Sequence, residues 1–487
     1  MVGHENKLLI IVMLISYIAA TTYIGIRYRK SRDSDDYFLA SRSLPAWLLS
    51  ITFIASWWGG GSAIDLVDLA NQTGISTFWI YGVPVLLATA LMYLFAGAIR
   101  RAATTTQPEL LESRYDRRSA FMLTLFIIIF MTIGAAVQVI VIGQFFASFF
   151  GLSYTSGATI GTLLVLTYSL FGGFRGVVIT DLFQFVFFLF AAIFLLYKAY
   201  SLSGGFEALN THLTISPIDG YQDFMHNIGD NIAYILTFGT SWMVQANVWQ
   251  RISAASSPRD AKRMMAISFV VFIPLYMIVT LTGMLSLPIY ESVPEGGVVS
   301  AMLLALKSPI LSGVIFVGLC SAIMSTMDSM LNTGAMSLTL DIYKRHINPS
   351  AKAESYVAAG RISTILIGLA ALYIGVNIRS VLTISWIGAD FIATGAFVPL
   401  VLGFIWRRAT AQAALLTMIF GLIFSSYNMA AALGAPLPVA WEIASAEQAI
   451  VGISSSLIIF VVASLLTKPD KHKADGFMQK TWSYKAE

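Results

Sequence analysis

The chain has 487 residues, is 57% hydrophobic and only 11% charged. Soluble domains carry about 25% charge, so this composition argues against an ordinary soluble enzyme and for a bilayer protein. The formal charge of +4 is small and the basic residues are thinly spread, which gives no footing for nucleic-acid binding. Cys320 is the single cysteine, so an intrachain disulfide and a thiolate metal site are both excluded, and it reads as a small buried apolar residue.

Apolar segments long enough to cross about 30 Å of hydrocarbon as helices recur from end to end. They lie at 8–27, 46–70, 76–99, 119–149, 154–172, 178–200, 228–249, 265–289, 311–337, 359–377, 381–406, 411–433 and 447–467. The first lacks an A-x-A-like cleavage site and reads as a retained helix rather than a signal peptide. The expected fold is thus all-α and polytopic, with about 13 transmembrane helices. The sizeable polar stretches are 201–227 and 468–487. If the first loop is cytoplasmic, alternation puts 26 of the 30 lysines and arginines inside, with Lys7, Lys198, Lys307 and Arg379 outside. Arg251, at the end of span seven, counts among the inside residues, and no arginine or lysine falls in the central half of any span. The expected placement is a bacterial inner membrane, N-terminus outside and C-terminus cytoplasmic, with the chain working as a monomer.

Spans two and seven are interrupted. Span two reads LLSITFIASWWGGGSAIDLVDLA, with Gly59, Gly60 and Gly61 at its midpoint. Each glycine weakens a helix by about 1 kcal/mol relative to alanine, and unwound backbone is tolerated in a bilayer only where it lines a cavity. Span seven, NIAYILTFGTSWMVQANVWQR, carries Gly239, Thr240 and Ser241 at its middle. The two are five helices apart, so the blocks of spans two to six and seven to eleven would be inverted relative to each other. Paired broken helices in inverted repeats point to the midplane binding site of a secondary transporter. For span two alone, glycines that merely permit close helix packing are the simpler account.

Asp65, Asp68, Asp181, Asp328 and Asp390 fall within spans or at their ends, where a carboxylate is costly and a functional candidate. In SAIMSTMDSMLNT of span nine, Ser325, Asp328, Ser329 and Asn332 share one helical face, with Thr326 beside them. Hydroxyls, carbonyls and a carboxylate form a hard-oxygen environment suited to a small alkali cation; helix–helix hydrogen bonding is the structural alternative. Asp68 reads as a solvated helix end, and Asp390 could equally face an aqueous vestibule. HExxH, GxSxG and GxxxxGK[ST] patterns are absent, and the histidines (4, 212, 226, 346 and 472) lie in loops or tails. The chain does not read as an enzyme.

Four passages carry a resemblance: DSDDYFLASRSLPAW, YSLFGGFRGVVITDLFQ, VWQRISAA and AIMSTMDSMLNTGAMSLTLDIYK. Together they resemble the sodium:solute symporter family, which includes sodium–glucose, sodium–proline and sodium–sialic acid transporters. The resemblance covers nearly the whole chain. It implies a LeuT-type 5+5 inverted repeat with one extra N-terminal helix and two C-terminal helices. Its layout here would be 1–44 extra helix and inner loop, 45–200 first repeat, 201–227 external loop, 228–408 second repeat, 409–467 C-terminal helices and 468–487 cytoplasmic tail. It implies a principal sodium site made by the carbonyls of Ala55, Trp58 and Ala322 and the hydroxyls of Ser325 and Thr326. Some members resemble a pattern with a second sodium deeper inside, here Asp181, Ser325, Asp328 and Ser329; Asp328 stands where the sialic acid transporters have a serine. On that reading Asp181→Asn lowers the coupled sodium from two ions per solute to one.

The family's solute pocket lies between the broken helices, which makes Trp57, Gly59, Ser62, Trp79, Tyr81, Gln138, Trp242 and Gln245 candidates. An acidic solute would want a fixed cation; with acids and tryptophans nearby instead, the reading leans to a neutral, zwitterionic or cationic solute such as an amino acid, sugar or amine. Sodium, a small-molecule solute and the lipid bilayer are the expected partners. Two alternatives stay open: a proton-coupled or ion-independent carrier of the same fold using Asp181 or Asp328, and, more remotely, a channel or membrane sensor.

Overall fold

A computed structural model of the protein describes residues 4–28, 34–170, 173–437 and 446–482. The basic residues Arg29, Lys30, Arg32 and Lys485, counted above as inside, lie outside the described residues. The described chain is helical, with no strand longer than an isolated bridge between Leu44 and Ala255. Among the described residues, ten helices are long and apolar enough to cross a membrane. Predicted spans two and seven fall instead on broken helices, and span five on Tyr154–Ser169, which has 16 residues.

Helix starts follow from side-chain capping of orphan backbone donors. Asp116 caps Arg117–Phe150 through the Ser119 amide, and Ser257 and Ser308 cap Pro258–Ser286 and Pro309–Met336, each with proline in the first turn. The Pro258–Ser286 helix packs against Phe78–Ala102, and Pro309–Met336 against Gly173–Ser203. These long helices surround the two broken ones.

Named for the expected orientation, the first broken helix has an inner arm, Ala46–Trp57, and an outer arm that enters through a π-helical turn, Gly61–Asp65, into Leu66–Thr73. Its helical ladder fails at Trp58 (φ −87°, ψ 68°). Gly59 and Gly60 are needed here for close approach. A β-carbon on Gly59 would lie 2.7 Å from the Gln138 side-chain oxygen and the Thr326 hydroxyl, and one on Gly60 would lie 2.6 Å from Val141. Interruption and close packing therefore both apply to the triple glycine.

In the second broken helix the interruption falls later than Gly239–Ser241. Gly239 closes a π-helical turn, Ile235–Gly239, with helical dihedrals, and Thr240–Met243 continues it. The chain opens at Val244 and at extended Gln245 before resuming as Ala246–Ser253. Side chains decide the place: Gln107 Nε2 donates to the Val244 carbonyl at 2.8 Å and Trp249 Nε1 to that of Met243 at 3.0 Å. The carbonyls freed by the break are satisfied there.

The 201–227 segment is not simple loop. It contains a helix, Gly205–Ile215, and folds onto the outer arm of the first broken helix. The Tyr221 hydroxyl donates to the carbonyls of Ala70 and Asn71, both at 3.1 Å, and the Ile75 amide donates to the Tyr221 carbonyl at 2.9 Å. Gly74 (φ 73°) permits that contact, since a β-carbon there would sit 1.9 Å from the Tyr221 oxygen. The 468–487 segment likewise forms a helix, Lys471–Trp482, docked on Phe78–Ala102, with Trp482 Nε1 donating to the Phe404 carbonyl at 2.7 Å.

Candidate functional site

A cavity of about 90 Å³ lies at the first break, between the two broken helices. A single water needs about 10–15 Å³ measured this way, so there is room for a small solute of a few heavy atoms. Trp57, Gly59, Ser62, Tyr81, Gln138, Trp242 and Gln245 all line it. Trp79 does not: its indole Nε1 donates to the Phe224 carbonyl at 2.7 Å, in the segment folded over the outer arm. Val85, Phe130, Tyr276, Met330 and Ser385 also line it and carried no sequence signal beyond their apolar spans. Among the described residues, no charged side chain lines this cavity.

One wall is an aromatic stack. Trp242 lies parallel to Phe238 (centroids 4.9 Å apart) and to Tyr81 (5.8 Å), and Trp57 leans on Trp242 at 5.8 Å. The Trp57 indole nitrogen is buried without a hydrogen-bond partner. Ser62 and Tyr276 share a hydroxyl contact at 3.0 Å, and the Gly60 amide donates to Gln138 Oε1 at 2.9 Å. The amides that open the outer arm, a helix N-terminus with partial positive charge, begin at this cavity.

Beside the cavity, the oxygens of the expected sodium site converge. The Ser325 hydroxyl lies 2.8 Å from the Ala55 carbonyl and 3.0 Å from that of Ala322, and the Thr326 hydroxyl lies 3.2 Å from Ala55. Trp58 stands at the break itself, where its carbonyl leaves the helical ladder. All five residues are buried, and their donor set is neutral hard oxygen, the chemistry of an alkali cation. The Trp58 ring is fully buried against Phe188 at 4.9 Å rather than anchored at an interface.

The deeper acidic group holds a cation of its own. Arg251, read from sequence as an inner-loop residue, is completely buried. Its Nη2 lies 3.3 Å from Asp181 Oδ2 and donates to Ser329 Oγ at 2.8 Å; its Nε donates to Thr52 Oγ1 at 3.2 Å and its Nη1 to the Asn247 carbonyl at 3.0 Å. Thr52 also donates to Asp181. Arg251 is thus a buried cation near the end of its helix rather than a residue of an open loop. The helix resumes after the second break at Ala246, which carries Arg251 inward to face Asp181. Asp328 is buried nearby with its Oδ1 unpartnered. Asn332 accepts from Gln250, whose amide also donates to the Phe38 carbonyl at 2.8 Å. Asp390 faces no vestibule: it is 2% exposed and accepts from Asn428 Nδ2 at 3.1 Å.

Residues 37–421 match the profile of the sodium:solute symporter family. The chain belongs to that family. It is 26% identical over 504 residues to the osmoregulated proline transporter of Bacillus subtilis, covering 97% of this chain and 98% of that protein. It is also 26% identical to the sodium/proline symporter of Salmonella typhimurium, covering 84% of this chain and 85% of that one. Among solved structures it superposes on a substrate-bound, outward-open sodium-coupled sialic acid symporter with a TM-score of 0.81 at 18% identity, covering 96% and 98% of the two chains. The symporter therefore has the LeuT-type architecture that the family resemblance implied. It is a multi-span membrane transporter that uses sodium to carry a solute, and not an enzyme.

Proposed function

We propose that this symporter imports a small zwitterionic amino acid together with one sodium ion, L-proline being the first solute to test. The convergence of the Ala55 and Ala322 carbonyls with the Ser325 and Thr326 hydroxyls beside the cavity carries the reading. Sodium bound there ties the inner arm of the first broken helix to Pro309–Met336, so the ion and the cavity share one break. Two of the sequence relatives are proline transporters, and the cavity suits an amino acid of that size. A solute carboxylate finds the amides that open the outer arm, while the aromatic stack offers its face to an ammonium group. A solute with net charge finds no counter-charge in the wall. Asp181, Asp328 and Ser329 take a second sodium only if Arg251 withdraws. Among the described residues no titratable carboxylate lines the cavity, which favours sodium over proton coupling.

Uptake of labelled L-proline into proteoliposomes under a sodium gradient tests this directly. The expected result is accumulation that collapses when potassium or choline replaces sodium; accumulation indifferent to that exchange would sink it.

We further propose the orientation with the N-terminus outside and the C-terminus cytoplasmic, in a bacterial inner membrane, on the distribution of lysine and arginine. In a Cys320→Ala background, a cysteine at position 220 should react with an impermeant thiol reagent from outside. One at position 475 should react only after permeabilisation. The reverse pattern at either position refutes the orientation.

A further inference from the structure

The chain does not run straight from its last span into solvent. The Ala446–Leu466 helix ends on Leu465 and Leu466, both exposed and apolar, and four residues later the Lys471–Trp482 helix begins. So short a link keeps that helix at the level where the spans end. It lies across the ends of Phe78–Ala102 and Phe397–Ile405 and is anchored there. Arg101 Nε donates to the Thr481 carbonyl and Trp482 Nε1 to that of Phe404, both at 2.7 Å, and Lys473 Nζ donates to the Tyr115 carbonyl.

The faces of this helix are sorted. Ala474, Phe477 and Thr481 are buried against the bundle, where the Phe477 ring meets Phe404 at 5.2 Å. Asp475, Met478, Gln479 and Trp482 follow at i, i+3, i+4 and i+7 and so share a second face. Together with Phe404, Ile405 and Arg407, that face forms an open groove of about 750 Å³.

The groove changes character along its length. At one end Arg407 and Asp475 stand 3.5 Å apart with side chains 76% and 59% exposed, a solvated pair that holds little energy of its own. At the other end the Trp482 ring lies 5.9 Å from Phe95, about two turns inside the Phe78–Ala102 span. Met478 lies between these ends on the helix, and Ile405, 56% exposed, belongs to the facing wall. A charged rim that leads to an apolar floor at the edge of the hydrocarbon has the outline of a phospholipid head and chain. Local charge selects the head. Arg407, Arg408, Lys468, Lys471, Lys473 and Lys480 stand against Asp470 and Asp475 in this corner of the chain. A phosphate offers the Arg407 guanidinium two oxygens in the geometry it prefers.

We propose that this groove holds one anionic phospholipid, with its phosphate on Arg407 and an acyl chain over Ile405 and Met478 towards Trp482. The site is independent of the solute and sodium sites, and it makes the last helix of the described chain a reader of lipid charge.

Native mass spectrometry of the detergent-solubilised full chain tests this, with a phosphatidylglycerol and a phosphatidylcholine of identical chains added in turn. One phosphatidylglycerol should be retained, about tenfold or more tightly than phosphatidylcholine, the difference made by one charged contact. Arg407→Gln should erase that preference. Lys480→Gln, exposed on the same helix but outside the groove, should keep it. Ile405→Trp fills the apolar floor with the charges untouched and should weaken retention of both lipids. Met478→Trp makes the same test from the helix side, should Ile405→Trp lower the melting temperature. Equal retention of the two lipids by the wild type would overturn the proposal. So would an equal loss of preference in Arg407→Gln and Lys480→Gln, which would report diffuse attraction to a basic surface. Displacement of the lipid by glycerol 3-phosphate at equal concentration would overturn it in favour of a soluble phosphate. Retention seen only when the chain is cut after Trp482 would make residues 483–487 the occupant and overturn it as well.

Discussion

Replacing Ser325 and Thr326 together by alanine should raise the sodium concentration for half-maximal uptake by about a hundredfold or more. Each hydroxyl directed at a cation is worth roughly 1.5–3 kcal/mol, and each tenfold in affinity is about 1.4 kcal/mol, so losing both removes at least about two decades. The effect on folding should be far smaller. Both hydroxyls hydrogen-bond to carbonyls in the structure, and the carbonyl of Ala322 belongs to the same helix as the serine. Expression and melting temperature in potassium should therefore stay near wild type, while stabilisation by sodium disappears. An unchanged sodium dependence of uptake would show that the cation binds elsewhere.

The second large effect concerns Arg251. Removing one partner of a fully buried ion pair costs about 3–5 kcal/mol, because the other charge is left without compensation. Arg251→Gln strands Asp181, which is itself fully buried, and leaves Ser329 and Thr52 around an unmatched carboxylate. A small cation is the natural replacement, so the variant should melt far lower in potassium than in sodium, and more steeply with sodium concentration than wild type. Arg251→Gln with Asp181→Asn should recover most of the lost stability, since no charge is then stranded. Asp181→Asn alone should leave the ion-to-solute ratio at one, as measured by reversal potential. A fall from two ions to one in that variant would mean that sodium displaces the guanidinium during transport.

Much of the bundle was legible because membrane helices announce themselves by length and apolarity, and because unbroken glycine runs are costly inside them. The first break and the oxygen cluster of Pro309–Met336 followed from local sequence: three glycines in a row, and hydroxyls at helical spacing. The second break did not, because its place depends on Gln107 and Trp249, and Gln107 donates from the start of the distant Gln107–Arg114 helix. Arg251 was misplaced for a related reason. The polar run ending VWQR looks like a loop leaving the membrane, and only the restart of the helix at Ala246 turns its guanidinium inward. Trp79 was grouped with the cavity by its position in the chain, and a backbone carbonyl of the 201–227 segment claims its indole instead. Val85, Phe130 and Met330 could not be picked out, since one apolar residue in a span reads like the next until the helices are arranged.

The anchoring of Tyr221 gives this face of the bundle a handle. Its hydroxyl and carbonyl clasp the far end of the first broken helix, and the Phe224 carbonyl holds Trp79 on the next one. Whatever displacement that end undergoes in a transport cycle must carry the Tyr221–Phe224 cap with it or break these hydrogen bonds. An antibody fragment gripping that cap would then act as a brake, arresting the carrier from the surface without approaching either the solute or the ion. The same cap, tagged with a fluorophore, would serve as an indicator needle for each turnover.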